Sequence, residues 1–488
     1  MKIGRAYDAN SSVGLKTFFV FSFLFFVALG IVAHSSDRYY EPPRVNSISL
    51  VALLYFFCLL VVALLKRRWF WFLLPITITT VPNAIIHAFP SYLMAHRSLS
   101  ETPTFAFFTH IDIFLLAGFV RYGRPQGRIP RQIFMSVLLL MLVGLIYLLG
   151  VILHSYVFAG AAFTGSFQLR YAFLAVLLSA YVFQPQDYRY ISYGLVAGTA
   201  EVMLEAAVFT HIVGSGRLVS GNFGTNTLGH FLASICSWAV ASRRNFLPFV
   251  NRWFVAGASF FFCMWTGTRF SLVALLFSAV LVYMIDTRQA IKVWLSSGCL
   301  IVVALVFFIF VPAGQSLIDG AVPVISKISH LEYLQRTDDS SSMITRLFVW
   351  RGTLSMLSEN AMLGIGPGVW AFLKSDYDVN FNDVLDTHND FLWYLSSYGV
   401  IAGWIFYGIV FLLPIVRISK SIDEPVTNHF LRPLCAFLIC VGFAGLTNAV
   451  TWKHQMAALV YIFSFITIIQ TRARESARDR SNELSTTV

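Results

Sequence analysis

SISLVALLYFFCLLVVALL (Ser47–Leu65), followed at once by Lys66-Arg67-Arg68, decides what kind of protein this is. The run carries no charged side chain and no alternation of period two. It is long enough to cross a hydrocarbon layer about 30 Å thick, which takes roughly 20 helical residues. Lipid satisfies no backbone N–H or C=O, so a spanning segment is either a helix or a strand of a closed barrel, and an unalternating apolar run selects the helix. The three basic residues behind it mark a cytoplasmic end.

The same signature recurs along the chain. Apolar runs bounded by charge or turn residues cover Thr17–Ala33, Ser47–Leu65, Trp69–Ala88, Phe105–Val120, Ile133–Leu153, Leu169–Phe183, Tyr190–Val213, Thr227–Ala241, Trp253–Trp265, Phe270–Ile285, Val293–Val311, Asp390–Val416, Phe430–Leu446 and Gln455–Ile469. Some are short for a full crossing, so the reading is an all-α polytopic membrane protein with about 12–14 transmembrane helices. Composition agrees: 57% of the 488 residues are hydrophobic and 12% charged, with a mean hydropathy of +0.71, whereas soluble domains carry about 25% charged residues. The first run follows basic residues as a signal peptide would, but no small-x-small cleavage site follows it, which predicts an uncleaved first helix.

Alternating the runs from a cytoplasmic N-terminus places Lys66-Arg67-Arg68, the Arg121/Arg124/Arg128/Arg131 cluster, Arg243/Arg244/Arg252, Arg288/Lys292, Arg417/Lys420/Arg432 and the Arg472–Arg480 tail on one side. Most of the 35 Lys and Arg fall there, as the positive-inside rule requires. The formal charge of +11 is therefore topological, and no nucleic-acid partner is expected, since no basic stripe with interleaved aromatics sits on a soluble module. The opposite side receives Ala33–Asn46, Phe89–Thr104, His154–Gln168, Gly214–Asn226, Thr266–Arg269 and the long segment Pro312–His388. The expected organisation is N-terminal transmembrane helices over residues 1–311, an extramembrane loop domain over 312–388, C-terminal transmembrane helices over 389–470 and a disordered cytoplasmic tail over 471–488, too charged to bury a core.

Within the long loop, Leu347, Trp350, Leu354 and Leu357 recur at helical spacing over Thr345–Ser358, which predicts an amphipathic helix lying on the bundle or the membrane surface. Gly364-Ile365-Gly366-Pro367-Gly368 then reads as a turn that re-aims the chain toward the bundle. It is not a nucleotide loop, because no strand precedes it and proline stands where a backbone donor is needed. Cys58, Cys236, Cys263, Cys299, Cys435 and Cys440 lie in or beside apolar runs without CxxC or Cys/His spacing, so they read as packing residues and no metal site is expected.

Chemistry concentrates on one face. Topology puts Arg269, Arg346, Arg351 and His388 on the side of the long loop, with Arg217, Asn226 and Asn389 as supporting candidates there. Each has a bland reading by itself: Arg269 as a snorkelling boundary residue, Arg346 and Arg351 as a solvated face, His388 as a capping histidine before Asn389-Asp390. Together they suit a diphosphate. Arginine stays charged and offers a planar fork of donors, and each Arg–phosphate pair is worth roughly 4 kcal/mol at 4 Å and an effective dielectric of about 20, before desolvation is subtracted. A neutral histidine beside them is able to take a proton from a sugar hydroxyl. The set fits transfer of a glycan from a lipid pyrophosphate. Against it stand Glu201 and Glu205, one helical turn apart in Tyr190–Val213, and His110 with Asp112 in Phe105–Val120. Intramembrane acids of this kind are the best sequence argument for an ion-coupled transporter or a lipid-linked-sugar flippase, unless they pair with neighbouring helices.

The succession Gly221-Asn222-Phe223-Gly224-Thr225-Asn226, Thr266-Gly267-Thr268-Arg269, Arg346-Leu347-Phe348-Val349-Trp350, Leu363-Gly364-Ile365-Gly366, and His388-Asn389 with Gly399 resembles the O-antigen ligase and polymerase superfamily in order and spacing, most strongly from Gly221 to Trp404. The resemblance implies a metal-independent, inverting glycosyltransferase without a cofactor, multi-pass in the bacterial inner membrane, with its active site facing the periplasm. It implies an undecaprenyl-pyrophosphate glycan as donor, and a lipid A–core sugar or another glycan as acceptor. Arg269 and Arg346 match the arginines that hold the donor pyrophosphate, and His388 the histidine that activates the acceptor hydroxyl. Where many members carry glutamate two residues before the glycine that is Gly399 here, this chain has Ser397, so no carboxylate base is expected at that position. The leading expectation is an O-antigen ligase; a polysaccharide polymerase and a protein O-oligosaccharyltransferase share the donor and differ in an acceptor chosen by variable loops.

Overall fold

The computed structural model describes residues 47–81, 109–123, 142–143, 167–220, 223–242, 250–287, 342–366, 369–379, 386–421 and 425–486. The expected spans Thr17–Ala33 and Val293–Val311, all of Ile133–Leu153 but Leu142 and Val143, Cys299, the Gly221-Asn222 dipeptide and loop residues 312–341 lie outside the described residues.

Among the described residues the regular structure is helical: α1 (Ser47–Leu65), α2 (Arg67–Thr80), α3 (His110–Tyr122), α4 (Phe167–Tyr181), α5 (Tyr188–Val213), α6 (Gly224–Ala241), α7 (Arg252–Thr266), α8 (Arg269–Thr287), α9 (Ser342–Glu359), the single turn α10 (Trp370–Leu373), α11 (Asp390–Tyr398), α12 (Val400–Tyr407), α13 (Leu413–Ser421), α14 (Pro425–Ala444) and α15 (His454–Thr486). Pro185–Val213, Val400–Ile418 and His454–Ala473 are long and apolar enough to cross a membrane, with mean hydropathies of 1.4, 2.0 and 1.5, and shorter apolar helices accompany them. This is an all-α membrane protein.

Lipid tails are as apolar as leucine, so helices in a bilayer associate through close packing and a few hydrogen bonds. Both devices are present. On α5, Gly194 and Gly198 let α2 approach backbone to backbone: a Cβ at Gly194 would stand 1.9 Å from the Phe72 carbonyl oxygen, and one at Gly198 2.5 Å from Thr79 Oγ1. At the centre, α6, residues 430–444 of α14 and residues 455–471 of α15 are buried on almost every side. The hydroxyls of Ser237 and Ser278 lie 2.6 Å apart and both donate to the Ala436 carbonyl, at 3.2 and 2.8 Å, tying α6, α8 and α14 together.

Helix ends pair in two groups. At one end Arg67 binds Gln184 (2.6 Å) and Asp187 (3.3 Å), and Arg432 donates to the Ala241 carbonyl (2.9 Å). At the other end Arg217 donates to the Thr266 carbonyl (2.8 Å), Thr109 meets Tyr171 (2.6 Å), Tyr171 meets His454 (3.0 Å), and residues 389–390 meet 445–451. The contacts of each group join segments that alternation of the runs assigns to one side.

Three expectations need correction. Asp390–Val416 is not one helix. Gly399 adopts φ 82° and ψ 163°, which no helix tolerates, and divides α11 from α12. The freed backbone groups are taken up by the turn after α9: Ile365 N donates to Ser396 O (2.8 Å), Gly366 N to Ser397 O (3.1 Å) and Val400 N to Ala361 O (2.7 Å). A broken helix among apolar segments persists where protein re-satisfies the backbone in this way. Gly364 (φ 68°) and Gly399 interlock, since a Cβ on the first would stand 2.5 Å from Gly399 N and one on the second 2.2 Å from Met362 O.

The buried face of α9 is rotated from the expected one. Phe348, Val349, Gly352, Thr353, Met356 and Leu357 are buried, whereas Leu354 is 53% exposed and Leu347 and Trp350 are half-buried. The small residues decide the face. Val379 and the Tyr377 carbonyl stand so close to Gly352 that a Cβ there would lie 2.3 and 2.9 Å from them, and Trp370 Nε1 donates to Thr353 Oγ1 at 2.9 Å. Val349, Met356, Ile365, Val369, Trp370 and Val379 form a separate small core beneath it. The third correction concerns the tail: α15 continues through Thr486, so the expected disordered end is helical up to there. Extending an existing helix carries no nucleation cost, and Ala, Arg and Glu are good helix formers.

Candidate functional site

His388 lies in the turn that opens α11, and its backbone is left-handed, φ 47°. For a non-glycine residue that conformation costs of order 1 kcal/mol and persists only where neighbours impose it. Here they do. Thr387 Oγ1 donates to the Asn389 carbonyl (2.7 Å). The Asn389 side chain caps α11 by accepting from Leu392 N (3.0 Å) and donates to the Leu446 carbonyl (2.7 Å). Asp390 N donates to the Gly445 carbonyl (2.6 Å). The imidazole is 28% exposed, with Nδ1 3.0 Å from Asp386 Oδ1, within ion-pair range but not aligned for a hydrogen bond. The same oxygen accepts from the His388 backbone N–H at 2.7 Å.

Arg346 occupies α9 close to its start and is half-buried. Burial pulls its pKa below the ordinary arginine value, and the Asp386 carboxylate opposes that fall. Asp386 thus acts on both Arg346 and His388. Arg346 also interacts electrostatically with His230, which is buried on α6 with Nδ1 2.9 Å from the Ser271 hydroxyl of α8.

Arg269 is exposed at the first position of α8, directly after the Gly267 (φ 65°) and Thr268 turn. Arg217 lies along that turn, its Nε on the Thr266 carbonyl, and Leu218 N donates to the Trp265 carbonyl at 3.1 Å. Thr268 Oγ1 reaches the carbonyl of Thr225 at 3.5 Å, which brings the first turn of α6 and the exposed Asn226 to the same corner. The expected residues therefore form two corners: Arg346 with Asp386, His388 and Asn389, and Arg217 with Asn226 and the turn that presents Arg269. His230 and Ser271 connect them, Ser271 standing two residues from Arg269. Arg351 joins neither. It is exposed, and five residues beyond Arg346 it points about 140° away around the helix.

Sequence reasoning missed Asp386 and His230. Asp386 had a signal, an acid two residues before the histidine; His230 on an apolar helix had none. The rival acids resolve differently. Asp112 is a helix cap, accepting from Thr109 N (2.8 Å) and Thr109 Oγ1 (3.0 Å) and pairing with Arg170 at 3.4 Å. Glu201 is buried in mid-helix next to Glu205 and within charge range of Tyr55. Ser397 is buried, and its carbonyl serves the interlocked glycine turn.

No curated protein matches the chain. Residues 254–407, a stretch that holds Arg269, Arg346, Asp386 and His388 and runs from α7 to the end of α12, match the family model described as O-antigen ligase, in keeping with the O-antigen ligase and polymerase superfamily.

Proposed function

We propose that this protein is an O-antigen ligase, which moves a polysaccharide from undecaprenyl pyrophosphate to a lipid A–core sugar at the periplasmic face of the bacterial inner membrane. The observation that carries the reading is that one carboxylate, Asp386, acts on both Arg346 and His388 within the family-matched stretch.

The chemistry follows from that arrangement. With Nδ1 turned to Asp386, Nε2 is the nitrogen left to accept the proton of the acceptor hydroxyl, and the carboxylate stabilises the imidazolium that results. The acceptor oxygen attacks the anomeric carbon of the donor from the face opposite the pyrophosphate. The bond from that carbon to the pyrophosphate oxygen breaks, and configuration inverts. Arg346 and Arg269, with Arg217 in support, hold the diphosphate while charge builds on the leaving oxygen. One fixed donor aimed at developing charge is worth about 10²–10³ in rate.

The test is the lipopolysaccharide banding pattern of a strain lacking the gene, complemented with wild-type or variant chains. Ligase loss leaves full-length polymer on the carrier and bare core in the outer membrane. Core capped with a single repeat would overturn the assignment in favour of a polymerase.

A further inference from the structure

We infer that Asp390 and Thr451 are positioning residues for His388, an inference that rests on the glycan-transfer reading above. A residue in a left-handed turn has no helix to orient it, so its direction is set by what pins the residues on either side. On one side the pin is Asp390, two residues after His388 and fully buried. Its carboxylate accepts from Thr451 Oγ1 (2.8 Å) and from Thr451 N (3.0 and 3.2 Å), and its own N–H donates to the Gly445 carbonyl (2.6 Å). Gly445 fits only as bare backbone, because a Cβ there would stand 2.5 Å from Asp390 Oδ2. Thr451 is braced in turn. Tyr394 OH lies 3.2 Å from its Oγ1 and 2.8 Å from Tyr461 OH on α15.

Asp390 is fully buried and its polar groups are taken up by this set, so it acts through His388. Buried hydrogen bonds of this kind are strong in a low dielectric, and losing one partner leaves the other unsatisfied. Thr451 lies in the short turn Val450–Trp452 between α14 and α15, outside the family-matched residues 254–407. The orientation of the histidine is thus set by the last helical hairpin of the chain.

The experiment uses the purified full-length protein with an undecaprenyl-pyrophosphate-linked glycan and a lipid A–core acceptor, following rate against pH and each substrate. Thr451→Val removes the hydroxyl at nearly constant volume, and Thr451→Ser restores it. Thr451→Val is expected to lower kcat about tenfold or more while the donor KM stays within about twofold, and Thr451→Ser to recover most of the loss. In a His388→Ala background the same Thr451→Val change is expected to cost less than about twofold, because both substitutions act on one group. Asp390→Asn, which keeps the volume and one acceptor oxygen, provides a second route if Thr451→Val does not fold. A wild-type kcat for Thr451→Val, or an equal fold-loss with and without His388, would overturn the inference. Retention of kcat by His388→Ala alone would instead remove the catalytic role of His388 and with it the reading beneath.

Discussion

Glu201 and Asp386 are both acids in a chain with few of them, and their settings are opposite. Glu201 is sealed in the middle of α5, among apolar helices, with Glu205 one turn away. Asp386 stands just before a helix start, partly exposed, beside His388 two residues on and within charge range of Arg346, which comes from 40 residues earlier in the sequence. A protein that moves ions across lipid keeps its titratable groups at the depth of the first. A protein that works on the head group of a lipid keeps them at helix ends, as the second is. The difference teaches that placement along the helix axis, more than the number of acids, separates transport from transfer chemistry.

The comparison is most exposed to His388→Ala, which should lower transfer by about 10³-fold if the imidazole is the base; ligation measured in a complemented deletion strain checks it, and an unchanged pattern would dissolve the contrast. Arg346→Ala comes next, with an expected loss of about 10²-fold that Arg346→Lys recovers only in part, since the planar fork is lost with the charge kept. Arg269→Ala should follow with a loss of about tenfold to 10²-fold, read as a rise in donor KM together with a fall in kcat. Gly399→Ala attacks the scaffold: φ 82° and the 2.2 Å approach to Met362 O predict destabilisation of about 2 kcal/mol or more, seen in thermal unfolding of the detergent-solubilised protein. Smallest of all, Glu201→Gln with Glu205→Gln should leave ligation within about twofold. If that double variant abolished function while Arg269→Ala was tolerated, the contrast would be inverted.

Among the described residues, several charge-bounded apolar runs were legible as helices. Ser47–Leu65 coincides with α1, because hydropathy and the Lys66-Arg67-Arg68 boundary are both local properties. The break at Gly399 was not legible, since apolar residues continue on either side and the conformation depends on Met362 and Ala361, which arrive from another segment. The face of α9 was misread for a related reason: hydrophobic periodicity weights Leu354 heavily and Gly352 hardly at all, yet close approach favours the glycine. For the site, the expectation that Arg269, Arg346 and His388 share one face rests on spans and charges alone. Asp386 acting on Arg346, and Thr451 on Asp390, could not be read, since such pairing exists only after the chain has folded back across 40 and 61 residues, as the numbering gives it.

The interlocked glycines bear on how motion passes through the molecule. With Gly364 and Gly399 meshed and three main-chain hydrogen bonds across them, the 361–366 strap and the elbow between α11 and α12 form one rigid lever. Any displacement of that segment is passed to α11 and to the His388 turn at its start, so the two cannot move independently.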